Sequence, residues 1–229
     1  MAPVSVVTGA NRGIGLHLCR KLKSQGYTVI ATCRKRSPEL EALGVSIVEG
    51  VDVGRDGGCA PLTTFLAGPP ARQVDLVVCN AGILHEDSLS ELNLDHIREQ
   101  FEVNSLGPLR TYLAVKDRLA PGAKIAIITS RMGSIADNGS GGDYGYRMSK
   151  AAVNMLGMNL AKDLKDQGIA VGILHPGFVA TDMTLKYHGM DGVISPEQSA
   201  EDLVGIMQQQ LNMESSGTFW HRNGTVLPW

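Results

Sequence analysis

The stretch GANRGIGLHLCRKL, residues 9–22, comes one residue after the apolar run VSVV at 4–7. It opens as a loop with three glycines and closes as a helix. At a helix start the backbone N–H groups lack partners and the helix dipole is positive. Glycine lets the chain turn sharply there and lets a phosphate approach the backbone. Strand, glycine loop and helix in this order therefore favour a dinucleotide site. Gly9, Gly13 and Gly15 give G-x-x-x-G-x-G, not the general G-x-G-x-x-G spacing. By itself the loop also fits a turn that only packs a helix on a strand.

Apolar, β-branched runs recur downstream at 27–33, 45–53, 74–82, 124–130 and 169–177. Continuous apolar strands of this kind belong to a parallel sheet covered on both faces. Helical patterns alternate with them, at 13–25, 56–66, 93–118, 143–167 and 196–211. The last is predicted to start with Ser195 as N-cap, Pro196 in its first turn and Gln198 closing a capping box. Strand–helix alternation predicts right-handed crossovers and an α/β fold: a single-domain, Rossmann-type, doubly wound parallel sheet with helices on both faces. The tail GTFWHRNGTVLPW carries Asn223-Gly224, a hairpin-type turn between two β-prone segments. The whole chain, 1–229, reads as one catalytic domain.

Composition narrows the function classes. Hydrophobic residues at 43% and charged residues at 19% of 229 suit a packed core rather than a disordered chain. The formal net charge of −2 leaves no basic footprint for nucleic acid or an anionic membrane. No apolar stretch approaches a membrane span of about 20 residues. The N-terminus lacks the basic and long apolar regions of a signal peptide, so a cytoplasmic location is expected. Cys19, Cys33, Cys59 and Cys79 form no Cys-x-x-Cys pair and imply no disulfide frame. The six histidines are dispersed, and no metal site is expected.

Six ordered motifs then point one way. TGANRGIG, with Thr8 in front, resembles the cofactor motif of the short-chain dehydrogenase/reductase family. CNAG at 79–82 resembles that family's Asn-Asn-Ala-Gly segment, with Cys79 replacing the first asparagine. Asn104 in FEVNSLGPL matches its helix asparagine, and Ser130 in IITSRMGS its serine. YRMSK supplies its Tyr-x-x-x-Lys as Tyr146 and Lys150, and HPGFVATDM its Pro-Gly…Thr segment. The resemblance spans essentially the whole chain. ATCR, SRMGSIADNGSGGDYGYRMSKAAVNM and the ending LPW narrow it toward the C-factor/sniffer-type carbonyl reductases.

The resemblance implies roles for these positions. Gly9, Asn11, Arg12, Gly13, Ile14 and Gly15 would cradle the cofactor phosphates. Asn80, Ala81 and Gly82 would adjoin the cofactor, with Cys79 a buried small residue. Pro176, Gly177, Val179 and Thr181 would lie beside the nicotinamide. Asp52, followed by Val53, resembles the family's adenine contact; a plain strand-end carboxylate is the other reading. Ser130 would hydrogen-bond the substrate oxygen. Asn104 would hold a water linking Lys150 to solvent, or mark a local bend, since asparagine is a poor helix former.

Tyr146 and Lys150, four positions apart, share one helix face. In isolation such a pair is more often a surface pair. A nearby ammonium, together with an oxidised nicotinamide, is expected to lower the phenol. Tyr146 then serves as acid for reduction and base for oxidation. Tyr144 has Met148, not a lysine, four positions on. At the adenosine ribose, arginine accommodates a 2′-phosphate where an acid grips a 2′-hydroxyl. The sequence TCRK at 32–35 has no acid. Arg12 and Arg34 therefore point to NADP(H). The segment at 183–195, with two glycines and no clear period, is expected to be a mobile substrate lid. Phe178, Met183, Tyr187 and Met190 there would line an apolar pocket, or simply pack the loop.

The expected function is NADPH-dependent reduction of a small-molecule carbonyl substrate. A non-catalytic dinucleotide sensor or signalling protein on the same fold is an alternative. So is an NAD-dependent alcohol dehydrogenase. The absence of a long insertion between Ser130 and Tyr146 leaves room for a homodimer or homotetramer.

Overall fold

The computed structural model describes residues 2–69 and 72–229. β1 (Val4–Thr8) feeds the glycine loop and α1 (Gly13–Ser24). β2 (Thr28–Cys33), the short α2 (Pro38–Ala42), β3 (Ser46–Glu49) and α3 (Ala60–Ala67) follow. Next come β4 (Val74–Cys79), α4 (Leu94–Phe101), α5 (Gly107–Val115) and β5 (Leu119–Ile128). α6 (Tyr144–Asp163), β6 (Ala170–His175), β7 (Phe178–Val179), β8 (Val193–Ile194), α7 (Pro196–Gln209) and β9 (Phe219–His221) complete the chain.

Among the described residues, seven strands form one sheet in the order β3-β2-β1-β4-β5-β6-β9. Every adjacent pair in it is parallel. The strands explain their own two-sided burial. Val7, Val29 and Ala31 pack with Leu18 and Leu22 of α1 and with Leu203 and Met207 of α7. Their neighbours Val6 and Ile30 pack on the opposite face with Leu62 and Leu66 of α3 and Val153 and Leu160 of α6. Successive strand residues alternate between two apolar layers, so no face is left for water. The strand order reverses between β1 and β4. In such sheets the crevice at that switch point, beyond the carboxyl ends of the strands, is where ligands bind.

Several element boundaries differ from those predicted. The helix expected at 93–118 is broken: α4 runs into a π-helical turn, Glu102–Leu106, before α5 and a closing 3-10 turn. Asn104 lies in the middle of that turn, which is the bend its poor helix propensity suggested. The helix expected from 56 starts only at Ala60, because 54–59 loop back on Asp52: Gly54 N donates to its Oδ1 at 3.0 Å and its own N–H to Gly58 O at 3.0 Å. The strand expected over 45–53 is ordered only at Ser46–Glu49, and that over 74–82 ends at Cys79. α2 was not anticipated; Ser37 caps it, its Oγ accepting from Leu40 N at 3.2 Å. At α7, Ser195 caps as expected, accepting from Gln198 N at 3.1 Å. Gln198 does not close the box; its Nε2 donates to Asp202 Oδ1 at 2.9 Å. The tail turns at Gly224, whose N–H reaches His221 O at 2.8 Å, and β9 before it joins β6 in the main sheet.

Candidate active site

A cleft of about 790 Å3 opens at the switch point. One wall is the glycine loop, with Gly9, Asn11, Arg12, Gly13 and Ile14 on its surface. Gly15 lies just behind them. A Cβ there would stand 2.3 Å from Gly9 O and 2.5 Å from Asn80 Nδ2. Only glycine lets the helix start sit so close to the loop. Asn80 fastens that arrangement, its Nδ2 donating to Thr8 O at 2.9 Å and Gly9 O at 3.3 Å. Thr8 Oγ1 accepts from the N–H groups of Asn80 and Ala81 at 3.0 and 3.1 Å. α1 begins without a side-chain cap and without an acidic residue in its first turn. Its unpaired N–H groups and positive dipole end therefore remain available to phosphate oxygens. These residues fit a dinucleotide.

Arg34, Asp52, Val53, Asn80, Ala81 and Gly82 also line the cleft. Cys33 ends β2 beside Arg34 and is buried. Burial, followed by the charge of Glu49, pushes its thiol up. Glu49 stands in register with Cys33, but its carboxylate is held by Arg36, whose Nε donates at 2.8 Å and whose backbone N–H at 3.1 Å. Asp52 has one oxygen engaged by Gly54 and the other 3.6 Å from Arg55. Cys79 is buried, and burial pushes its thiol up to about 12, so it is a small core residue rather than a reactive thiol.

Tyr146, Lys150, Pro176 and Thr181 line the same cleft. Tyr146 and Lys150 sit one turn apart at the start of α6, with Lys150 Nζ 5.5 Å from the Tyr146 ring centre. The start of α6 is fixed from a distance. Asp143 enters it in the left-handed region (φ 47°), and Asp87 accepts from the N–H groups of Tyr144 and Gly145 at 2.5 and 3.0 Å. That distal cap carries no local motif and was missed in the sequence. Ser130 follows β5 and caps a 3-10 turn, Arg131–Gly133, its Oγ accepting from Met132 N at 3.2 Å.

Burial sets the charge states of the pair. Tyr146 is half-buried, and burial pushes its phenol up to about 12. The Ser130 hydroxyl pulls it down and Asp143 pushes it further up, both to lesser extents. Burial also brings Lys150 down to about 8. Its Nζ has Ile128 O at 3.2 Å as partner. Desolvation acts on both groups alike, disfavouring the charged form of each.

A stability prediction follows from Lys150. Its usual value is 10.5, so between about 8 and 10.5 the unfolded chain binds more protons than the folded one. The parent therefore gains stability with rising pH across that window, relative to Lys150→Met. The gap should change by on the order of 1 kcal/mol per pH unit. Urea midpoints of both proteins taken side by side from neutral pH upward test this. A gap that stays flat would show that burial does not depress the lysine.

Not every predicted site residue lies on the cleft wall. Asn104 is buried behind it, its Oδ1 accepting from Ile83 N at 2.8 Å and its Nδ2 donating to Ile83 O at 2.9 Å and Ser149 Oγ at 3.0 Å. It thus braces the loop after β4 against α6. Gly177, Val179 and Ser130 are also absent from the lining. Gly177 adopts φ 87° and Val179 is buried in β7. Arg12 is on the wall, and its Nη1 donates to Asp182 Oδ2 at 2.6 Å. His85, Glu99, Val103 and Asp182 line the cleft and were not anticipated, because no spacing or periodicity marks them. The segment at 183–195, expected to be a substrate lid, carries regular structure. Asp182–Tyr187 forms 3-10 turns, and β8 pairs with β7. Lys186 bonds Glu86 at 2.5 Å, and Phe178 meets the Tyr187 ring edge-on at 5.1 Å.

Comparison with known proteins agrees with this geometry. The family model described as short chain dehydrogenase matches residues 3–191. A 1-hydroxy-2-glutathionyl-2-methyl-3-butene dehydrogenase of Rhodococcus sp. (strain AD45) is 43% identical over 224 residues, covering 98% of each chain. The C-signal protein of Myxococcus xanthus is 38% identical, covering 73% of this chain and 97% of its own. Among solved structures, an NADPH-bound carbonyl reductase from chicken fatty liver superposes with a TM-score of 0.90 at 28% identity, over 100% of this chain and 99% of its own. The carbonyl reductase Sniffer of D. melanogaster gives 0.88 at 27% identity over the full length of both. Ordered motifs, a glycine loop at the switch point of a parallel sheet and a match across most of the sequence agree, and the chain belongs to the short chain dehydrogenase family of oxidoreductases.

Proposed function

We propose that the protein reduces small carbonyl compounds with NADPH, Tyr146 acting as the general acid. The observation that carries this reading is the placement of Tyr146 and Lys150 in the same cleft as Arg34, which stands beside a buried Cys33 rather than an acid. When bound, a reduced nicotinamide supplies the hydride that adds to the carbonyl carbon. The protein's own residues do the rest. Ser130 donates a hydrogen bond to the substrate oxygen and steadies its developing charge. Tyr146, whose high phenol value keeps it protonated at neutral pH, gives its proton to that oxygen. Lys150 holds positive charge beside the phenolate as it forms, and Asn104 keeps the loop after β4 in place against α6. The 183–195 segment closes over the substrate, with Phe178, Met183, Tyr187 and Met190 presenting apolar surface. The NADPH-bound carbonyl reductase among the structural neighbours supports the reading.

The 43% identity to a dehydrogenase named for a hydroxy glutathionyl compound supports a second reading, in which the same site runs toward oxidation. Tyr146 would then take the proton. A sensor without catalysis has no use for Ser130, Tyr146 and Lys150 together, which weighs against it.

NADPH consumption against aldehydes, ketones, diketones and quinones tests the first reading. NAD+ or NADP+ reduction with alcohols, a glutathionyl hydroxyalkene among them, tests the second. NADPH should outperform NADH in kcat/KM. Cys33→Asp combined with Arg34→Gln should cost NADPH about ten-fold, the worth of one charge-assisted contact, and help NADH. A parent that prefers NADH, or an unmoved preference in the double variant, refutes the cofactor assignment.

A further inference from the structure

We propose that Asp182 tunes cofactor preference indirectly, by holding the Arg12 guanidinium that a cofactor 2′-phosphate would otherwise take. The inference rests on the NADPH reading above. Asp182 is a positioning residue in it and touches no reacting atom.

Arg12 immediately precedes α1 in an extended conformation (φ −160°). Its side chain crosses from the glycine loop to the turn that follows Thr181. There its Nη1 meets Asp182 Oδ2 at 2.6 Å, and both residues line the cleft that also holds Arg34. The two loops approach closely: a Cβ built on Gly13 would lie 3.4 Å from Thr181 Cγ2. The ion pair therefore ties together two walls of the cofactor groove.

The turn that carries Asp182 has bonds besides the one to Arg12. Thr181 and Thr184 form a reciprocal capping box around it, with Thr181 N donating to Thr184 Oγ1 at 3.0 Å. His188 adds a ring-nitrogen contact to Thr181 O at 3.0 Å, and Lys186 anchors the same turn to Glu86. Neutralising Asp182 thus frees Arg12 without dissolving the turn.

The pair is also exchangeable. Its two side chains are 68% and 64% exposed, so water and salt screen it. A phosphate dianion carries more charge than a carboxylate and offers more oxygens to a guanidinium fork. One guanidinium then has two claimants. NADPH must draw Arg12 from Asp182, whereas NADH makes no such demand. Asp182 consequently handicaps NADPH and leaves NADH alone, apart from a general repulsion of the pyrophosphate that both cofactors share.

The test is equilibrium titration of NADPH and of NADH, followed by nicotinamide fluorescence at fixed ionic strength, with the ratio of the two Kd values as readout. Asp182→Asn should shift the ratio toward NADPH by roughly two- to five-fold, the scale of an exposed ion pair. Asp182→Glu, which keeps the charge, should restore the parent ratio. In an Arg12→Gln background Asp182→Asn should leave the ratio where Arg12→Gln alone put it, since the effect passes through Arg12. Equal tightening of both cofactors would mean general charge repulsion and would overturn the proposal. So would an unchanged ratio, or the same shift without Arg12. If Arg12→Gln alone fails to weaken NADPH relative to NADH, Arg12 does not serve the 2′-phosphate. The cofactor reading for that residue then fails first and takes the inference with it.

Discussion

Tyr146→Phe is expected to fold, to bind cofactor and to lose turnover by at least ~10²-fold, the lower bound for removing a general acid. The substitution deletes one hydroxyl and keeps the ring that packs near Lys150. Folding should be little affected, because the start of α6 is held by backbone bonds to Asp87 rather than by the phenol. Tyr144→Phe is the control. Tyr144 shares the helix start but is not among the residues lining the cleft. Its loss should be several-fold at most. Steady-state rates with one carbonyl substrate, alongside NADPH titration, separate the two outcomes. Near-parent turnover in Tyr146→Phe would remove Tyr146 from the chemistry.

Gly133→Ala should be damaging for a different reason. A Cβ at this position would lie 2.6 Å from the Lys150 carbonyl carbon and 2.8 Å from its oxygen. Those are backbone atoms in the interior of α6, so no side chain can swing aside. The turn that carries Ser130 and the helix that carries Tyr146 and Lys150 must be pushed apart. Thr129 and Asn154 sit on the same seam, their side chains bonded at 2.7 Å, and Asn154 Nδ2 also reaches Gly133 O at 3.4 Å. Overpacking of this kind costs about 1–3 kcal/mol. A displaced catalytic pair should in addition lower kcat by about ten-fold or more, since small misplacements of reacting groups are costly. Urea unfolding and kcat at saturating cofactor measure the two effects. Stability and kcat both matching the parent would mean that the contact relaxes freely.

Much of the fold was legible because its signals are local. Strand runs such as VSVVT and KIAIITS are apolar on both faces, and that pattern has one common use, the buried parallel sheet. The glycine loop was legible because three glycines between strand and helix leave few other readings. Of the broken helix after Asn93, only a bend at Asn104 was. Its apolar pattern runs on through the π-helical turn, and the break follows from Asn104 being fastened to Ile83 and Ser149, contacts that exist only after folding.

What the sequence determined by itself was the alternation of elements, the order of the motifs and the one-face pairing of Tyr146 with Lys150, all consequences of short-range periodicity. Tertiary structure alone decided which charges meet and how wet they are. It turned Arg12 onto Asp182, 170 positions away, and Arg36 onto Glu49. It set Asp87 beneath the start of α6 and buried the Tyr146 phenol, which raises it. Burial and long-range electrostatics depend on the packed three-dimensional neighbourhood, and a one-dimensional spacing carries no record of that.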